Sequence, residues 1–304
     1  MNRIRWPQDR GMPVTRTIAW NEPNRRNTPP LHIASRGERY STLTGVWWLD
    51  ENRFVANHRS GLRMALFDLR EGDAPIVIAP VPHLSDDIAA RDLGDGTWEI
   101  AASGCWDCAY SIHRLSTQGT PGFRPVEVKP SANRTFSHGI AYDTSGKLWL
   151  AFHTGEDPRI ETRGRVWRLP PPWGARDVCF DANSGHAYAV AVSKNPTLTA
   201  YQQVATSIWH YDPAPDSWNM IDVIDNVHSD ACQIYAGRIW LPDQVGDRVL
   251  GVDLSGRSPP VVIQDKSLDF PHGLGISDNG SLAIANYGNS SIALFNLNHR
   301  PKQD

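Results

Sequence analysis

The sequence predicts an all-β protein folded as a single six-bladed β-propeller. A hairpin unit recurs six times, its copies lie about 45 residues apart, and a third apolar strand follows each copy. That spacing fits one four-stranded propeller blade. The 24 Gly and 23 Pro among 304 residues agree with many short strands joined by tight turns.

The two clearest copies of the unit span residues 137–151 and 271–285. Each opens with His-Gly, continues as a short apolar strand, turns through an Asp and Gly segment, and ends in a second apolar strand. The pattern recurs more weakly elsewhere, which places the six units near residues 44, 87, 138, 177, 230 and 272. The sequence therefore predicts six inner hairpins around one axis.

The outer half of each blade is predicted from further apolar runs. Third strands are expected at residues 64–69, 166–169, 208–212, 249–254 and 292–297, and edge strands at 75–78, 125–128, 220–224 and 261–263. The last unit stops at Leu297, so a strand within residues 15–20 is expected to supply its missing edge and close the ring. We therefore divide the chain into an N-terminal arm, 1–40, and a propeller, 41–304.

Five of the twelve tryptophans recur at matching strand positions, which predicts packing between blades rather than ligand contact. They are Trp98, Trp149 and Trp240 on second strands and Trp167 and Trp209 on third strands.

Charge and motifs exclude several classes of function. The net charge of −3 argues against nucleic-acid binding by the protein as a whole. The locally basic first 40 residues are interpreted as a solvated arm, with a phosphate- or nucleic-acid-binding tail as the alternative. No apolar run is long enough for a membrane span and no signal peptide is visible, so we expect a cytoplasmic protein. The sequence has no Gly-rich phosphate loop, no G-x-S-x-G and no H-E-x-x-H.

Four cysteines do not make a disulfide framework in a chain of this size, so reduced thiols are expected. Cys105 and Cys108 form a single C-x-x-C, a weak metal signal, whereas Cys179 and Cys232 lie on inner strands as small buried residues.

Polar side chains recur where the inner strands begin, at one rim of the predicted channel. They are Thr44, Asp86 and Asp87, His138, Arg176 and Asp177, His228 and Asp230, and His272. Imidazole and carboxylate groups that converge from separate strands suit a divalent metal, with Zn²⁺, Mn²⁺ or Fe²⁺ favoured over Ca²⁺. The alternative is a polar rim whose residues only hydrogen-bond to loops.

The units around His138 and His272 resemble the NHL-repeat and regucalcin/gluconolactonase group of six-bladed propellers over residues 41–297. The resemblance implies a divalent metal held in the channel by Glu, Asn and Asp. Here Thr44 stands where Glu is expected, which disfavours a calcium-type lactonase. The His-rich set is more similar to the peptidylglycine-amidating lyase propeller, whose three zinc-binding His would be imitated by His138, His228 and His272, and to the virginiamycin B lyases.

The combined prediction is a metal-dependent hydrolase or lyase acting on a small polar molecule such as a lactone, an ester or a natural-product intermediate. The predicted metal ligands are His138, His272, Asp177 and Asp230. The predicted catalytic acid–base residues are His228, Asp87 and His153. The predicted substrate contacts are Tyr287, Lys194, His58, Trp106 and Asn286.

Three alternatives remain open at this point. The rim residues Lys194, Arg59 and Arg176 are expected to be solvated, with pairing to an anionic substrate as the other possibility. The whole molecule could instead be a non-catalytic binding propeller, or an isomerase or cyclase that uses the His and Asp ring without metal. Oligomeric state is not predicted.

Overall fold

The computed structural model describes residues 12–20, 22, 42–104, 108–130, 137–153, 157–193 and 204–298. All regular secondary structure in these ranges is β, arranged as six antiparallel four-stranded sheets. The prediction of an all-β, six-bladed propeller is confirmed. No helix long and apolar enough to cross a membrane occurs in the described part of the chain.

The first three blades follow the chain from their inner to their outer strand, after an isolated first strand, β1 (Arg16–Ala19). Blade 1 consists of β2 (Leu43–Trp48), β3 (Arg53–His58), β4 (Arg63–Asp68) and β5 (Val77–Pro80). Blade 2 consists of β6 (Ile88–Gly94), β7 (Thr97–Ser103), β8 (Cys108–Ser116) and β9 (Gly122–Pro130). Blade 3 consists of β10 (Ser137–Tyr142), β11 (Leu148–Phe152), β12 (Arg159–Thr162) and β13 (Arg165–Trp167).

The last three blades have the same plan, except that the sixth takes its outer strand from the N-terminal part of the chain. Blade 4 consists of β14 (Trp173–Phe180), β15 (Ala187–Ser193), β16 (Ala205–Asp212) and β17 (Ser217–Asp225). Blade 5 consists of β18 (Gln233–Tyr235), β19 (Arg238–Asp243), β20 (Arg248–Asp253) and β21 (Val261–Gln264). Blade 6 consists of β22 (Pro271–Ile276), β23 (Ser281–Asn286), β24 (Ser291–Asn296) and β1.

Strand β1 pairs antiparallel with β24, with Ile18 opposite Ile292. Ile18 is fully buried in an apolar cluster that also contains Phe67 of blade 1 and Ile292 of blade 6. A strand from the start of the chain thus completes the last blade and packs it against the first, which covers an edge that would otherwise be exposed. The division of the chain at residue 40 stays a prediction.

The third blade differs from the predicted strand assignment. Residues 166–169 were expected to contain its third strand, but β12 takes that place and Val166 belongs to the outermost strand, β13. The two strands are joined by a two-residue turn in which Gly164 has a φ of +84°. This conformation suits glycine, so the Arg163-Gly164 pair forms the turn of a hairpin between the third and the outermost strand of the blade.

The repeated tryptophans lie between blades, as predicted. Trp149 and Trp209 are buried in the cluster that joins blades 3 and 4, and Trp240 is buried in the cluster that joins blades 5 and 6. Large flat side chains fill the wedge between neighbouring twisted sheets.

The expectation of reduced thiols is wrong for one pair. Cys179 on β14 and Cys232, just before β18, form a disulfide with their Cα atoms 5.8 Å apart. They lie 53 residues apart in sequence, but the ring places the inner segments of blades 4 and 5 side by side. Cys105 falls outside the described residues.

Candidate active site in the central channel

The side chains of the channel cluster are set by a local irregularity in the inner strands. The pairing of β2, β10, β14 and β22 with its neighbour skips one residue near the start of each strand. The skipped residues are Thr44, His138, Arg176 and His272. A bulged residue leaves the ladder and its side chain is re-aimed, so one polar group in each of these four blades is released from the sheet face.

The glycine of the His-Gly motif permits the close packing of neighbouring blades at the same level. A Cβ on Gly273 would lie 2.0 Å from the carbonyl oxygen of Thr44, and one on Gly139 would lie 2.4 Å from Oδ1 of Asp177. Only glycine fits these contacts without a backbone shift. The motif therefore combines a channel side chain with a residue that lets the next blade approach.

The carboxylate of Asp230 lies at the centre of the cluster. Its Oδ1 is 2.9 Å from Nε2 of His228 and 3.1 Å from Nη1 of Arg176, and its Oδ2 accepts a 2.6 Å hydrogen bond from Gln244. Burial raises the pKa of Asp230, but the charges of Arg176 and His228 more than offset this and hold the pKa well below 3.8. Asp230 is therefore a buried anion at neutral pH.

Two histidines from separate blades approach the same carboxylate. Nε2 of His272 lies 3.4 Å and Nε2 of His138 lies 3.6 Å from Oδ2 of Asp230, and the two rings stack with centroids 5.5 Å apart. The ring of His153, at the end of β11, contacts His138 edge to face at 5.0 Å. The cluster thus brings together imidazoles from blades 3 and 6 and a carboxylate from blade 5.

Asp86, His138 and His272 form a group that could hold a metal ion. One ligand atom from each lies within 4.8 Å of the other two, and all three residues are buried. Two imidazoles and one carboxylate with open positions are a set used by zinc and by non-haem iron.

The protonation of His272 fits a metal ligand. Its Nδ1 lies 3.2 Å from the carbonyl oxygen of Thr44, which can only accept, so Nδ1 carries the proton. Burial lowers the pKa of His272 to about 4, so the ring is neutral near pH 7 and Nε2 presents a lone pair. A lone pair 3.4 Å from the carboxylate of Asp230 cannot hydrogen-bond to it, whereas a cation between them would satisfy both.

Arginine and tyrosine side chains support the third ligand. Arg59 lies with its Nε 2.9 Å from Oδ1 of Asp86 and donates from Nη1 to the hydroxyl of Tyr287. The ring of Tyr287 stacks on that of His272 with centroids 5.5 Å apart. Arg59 and Arg176 are therefore engaged in the channel, which corrects the expectation that they are solvated rim charges.

Asp87, predicted to be an acid–base residue, and Asp177, predicted to be a metal ligand, lie beside the cluster and accept hydrogen bonds from backbone amides. Oδ2 of Asp87 accepts the backbone N–H of Ile140, and Oδ2 of Asp177 accepts that of Cys232 at 2.8 Å. Each carboxyl thus ties its own inner strand to that of the next blade. Burial raises the pKa of Asp87 to about 7 and raises that of Asp177, with the charge of Asp87 adding to the second shift.

The remaining predicted residues are placed as follows. His228 lies behind Asp230, whereas Tyr287 is part of the cluster. His58 lies away from it: its Nδ1 accepts the N–H of Gly61 and its ring packs on Trp20, between blade 1 and the ring-closing strand.

Two further groups of predicted contacts do not join the cluster. Asn286 is buried, and its amide donates to the carbonyl of Ser267 and the hydroxyl of Ser291, so it holds loops together. Lys194 and Trp106 fall outside the described residues. Conversely, Asp86, Arg176 and Gln244 belong to the cluster although none of them was among the predicted metal ligands, acid–base residues or substrate contacts. At Arg176 a bulge re-aims the inner-strand side chain, which the sequence pattern does not reveal.

Comparison of the sequence with family models and with curated proteins finds no match. Solved structures share the fold. The PQQ-bound aldose sugar dehydrogenase of Streptomyces coelicolor matches with a TM-score of 0.63 and 11% identity, covering 96% of this chain and 99% of its own.

Two other solved structures illustrate the range of proteins that have this fold. Virginiamycin B lyase of Staphylococcus aureus matches with a TM-score of 0.52 and 12% identity, covering 92% of this chain and 99% of its own. A chain of a nidogen/laminin complex matches with a TM-score of 0.56 and 17% identity, covering 85% and 96%. At these identities the likeness establishes the fold only.

Proposed function

We propose that this protein is an enzyme that holds a divalent metal ion on Asp86, His138 and His272 and catalyses the hydrolysis or elimination of a small polar substrate. The observation that carries the proposal is that one ligand atom from each of the buried residues Asp86, His138 and His272 lies within 4.8 Å of the other two, and that the neutral imidazole of His272 presents an Nε2 lone pair there. Buried charge and lone pairs in this arrangement call for a cation between them.

The ligand types favour Zn²⁺, Mn²⁺ or Fe²⁺ over Ca²⁺, because Ca²⁺ prefers oxygen ligands throughout. When bound, such a metal polarises an oxygen atom of the substrate. The chain's own groups would orient the ligands: Thr44 fixes the tautomer of His272, and Arg59 fixes the carboxylate of Asp86. Positioning of this kind raises ligand basicity and geometric precision.

Among the predicted acid–base residues, the geometry favours His153. It is half-buried beside His138, with ring centroids 5.0 Å apart, so its imidazole borders both the cluster and the rim. His228 is buried behind Asp230, and Asp87 holds a backbone amide. A proton carrier must reach the reacting group, which places His153 ahead of the other two.

The proposal is tested by measuring metal content with inductively coupled plasma mass spectrometry after reconstitution with Zn²⁺ or Mn²⁺. We expect about one ion per chain in the wild type and less than a tenth of that in the double variant His138→Ala, His272→Ala. The matched control is His186→Ala, His210→Ala, a histidine pair at the outer side of blade 4 with rings 5.2 Å apart. Equal stoichiometry in all three proteins contradicts the proposal.

A non-catalytic binding propeller is the second candidate, since one structural neighbour belongs to a protein complex. We place it second because the polar cluster is buried, whereas a docking rim uses exposed side chains. A protein without metal that still processes a substrate would instead favour acid–base catalysis by the His and Asp ring.

A further inference from the structure

The inner-strand position of blade 4 differs from the other five in its chemistry. Arg176 occupies the bulge of β14, where the corresponding places hold Thr, Asp or His. Its side chain is 14% exposed, and its Nη1 lies 3.1 Å from Oδ1 of Asp230. A guanidinium therefore lines the channel beside the proposed metal ligands.

One buried donor of this guanidinium has no acceptor among the described residues. Nε of Arg176 is buried, and no group among the described residues accepts its hydrogen bond. The guanidinium has five N–H donors, and the ion pair with Asp230 engages Nη1. A buried donor without an acceptor costs about 1–3 kcal/mol, so an acceptor is expected to complete this edge in the working protein.

The open edge lies close to the metal ligands. Oδ1 of Asp230 contacts Arg176, while Oδ2 of the same carboxylate lies 3.4 Å from Nε2 of His272. The guanidinium and the imidazole therefore contact opposite oxygens of one carboxylate.

We propose that the substrate carries a carboxylate group and that Arg176 binds it through the Nε edge, with another substrate oxygen directed to the metal position. Nε and the second terminal nitrogen of a guanidinium present two parallel N–H groups, which match the two oxygens of a carboxylate. This inference rests on the proposed function and adds the class of substrate, a small hydroxy or oxo acid or its ester or lactone counterpart with a remaining carboxylate.

The test is calorimetric binding of two isosteric probes, lactate and lactamide, to the full-length protein with its metal content measured beforehand. We expect the wild type to bind lactate at least tenfold more tightly than lactamide. Arg176→Lys retains the charge beside Asp230 but lacks the planar fork, and we expect its preference for lactate to fall to threefold or less.

Arg91→Lys is the matched control, because Arg91 pairs with Glu99 on blade 2 outside the cluster and should keep the wild-type preference. Equal binding of the two probes, no detectable lactate binding, or an unchanged preference in Arg176→Lys overturns the inference. Tighter binding of inorganic phosphate than of lactate overturns the carboxylate assignment. Each titration is repeated on metal-free protein. The metal content tests the proposed function, and the preference between the two probes tests this inference separately.

Discussion

Single residues in the channel show how a buried polar cluster is kept neutral and ordered. Asp230 is balanced by Arg176, and Asp86 is balanced by Arg59. Each guanidinium neutralises a carboxylate that would otherwise be costly to bury. Burial lowers the pKa of His272 to about 4, so its imidazole stays uncharged near pH 7, which is the form in which an imidazole binds a metal.

A histidine outside the cluster gives a prediction about stability. Burial lowers the pKa of His58 to about 4, against 6.5 in the unfolded chain, because its ring packs on Trp20 and its Nδ1 accepts the N–H of Gly61. Between these two pKa values the unfolded chain binds more protons than the folded one. Stability from His58 is thus complete above about pH 6.5 and is lost as the pH falls towards 4, by about 3 kcal/mol.

The measurement is urea denaturation of the wild type and His58→Gln at pH 7.5, 6, 5 and 4.5. Other buried histidines titrate in both proteins, so the informative quantity is the difference between the two slopes of unfolding free energy against pH. We expect the wild type to lose more stability than the variant across this range. Parallel curves would show that His58 does not titrate as its surroundings imply.

At the scale of the strand, the bulged residue and the glycine after it act together. The first directs a polar side chain into the channel, and the second lets the neighbouring blade pack closely. A methyl group at position 273 would overlap the carbonyl of Thr44, so Gly273→Ala must displace the inner strand of blade 6 or blade 1. We expect a loss of about 2 kcal/mol or more in unfolding free energy, measured by urea denaturation. The same shift should weaken metal binding, because His272 precedes the altered residue.

Gly122→Ala on β9 is the control for this substitution. A Cβ there meets no atom within 4 Å, so the change should stay within about 0.5 kcal/mol. Similar effects at both glycines would contradict the role assigned to the close contact between blades.

The strands also show how much of the fold can be predicted from local sequence patterns. The recurring hairpins predicted six blades because alternating apolar residues and turn residues are local signals. The third strand of blade 3 was placed at residues 166–169, because β12 (Arg159–Thr162) has a single apolar residue, Ile160, and lacks the alternating pattern that marks the other third strands. The sequence placed the cluster at the rim but assigned roles to Asp87 and Asp177, whereas their neighbours Asp86 and Arg176 line the cluster. At Arg176 a bulge in β14 causes the offset, and the sequence pattern does not reveal it.

At the scale of the whole molecule, one early strand joins the two ends of the ring. Deleting residues 1–20 removes β1, exposes the edge of β24 and uncovers Phe67 and Ile292 around the former place of Ile18. We expect this variant to unfold at a temperature at least 10 °C lower, or to aggregate, in scanning calorimetry. Deleting residues 1–11 keeps β1 and is the control. Coincident transitions for the two deletions would argue against ring closure by this strand.

The central claim is that the ring brings Asp86, His138 and His272 from three blades to one metal ion. A crystal structure of the reconstituted protein with anomalous scattering at the zinc or manganese edge tests it most directly. The account predicts an anomalous peak about 2.0–2.2 Å from one nitrogen of each histidine and one carboxylate oxygen of Asp86. A fully reconstituted crystal without a peak there, or with the two imidazoles bound elsewhere, would contradict it.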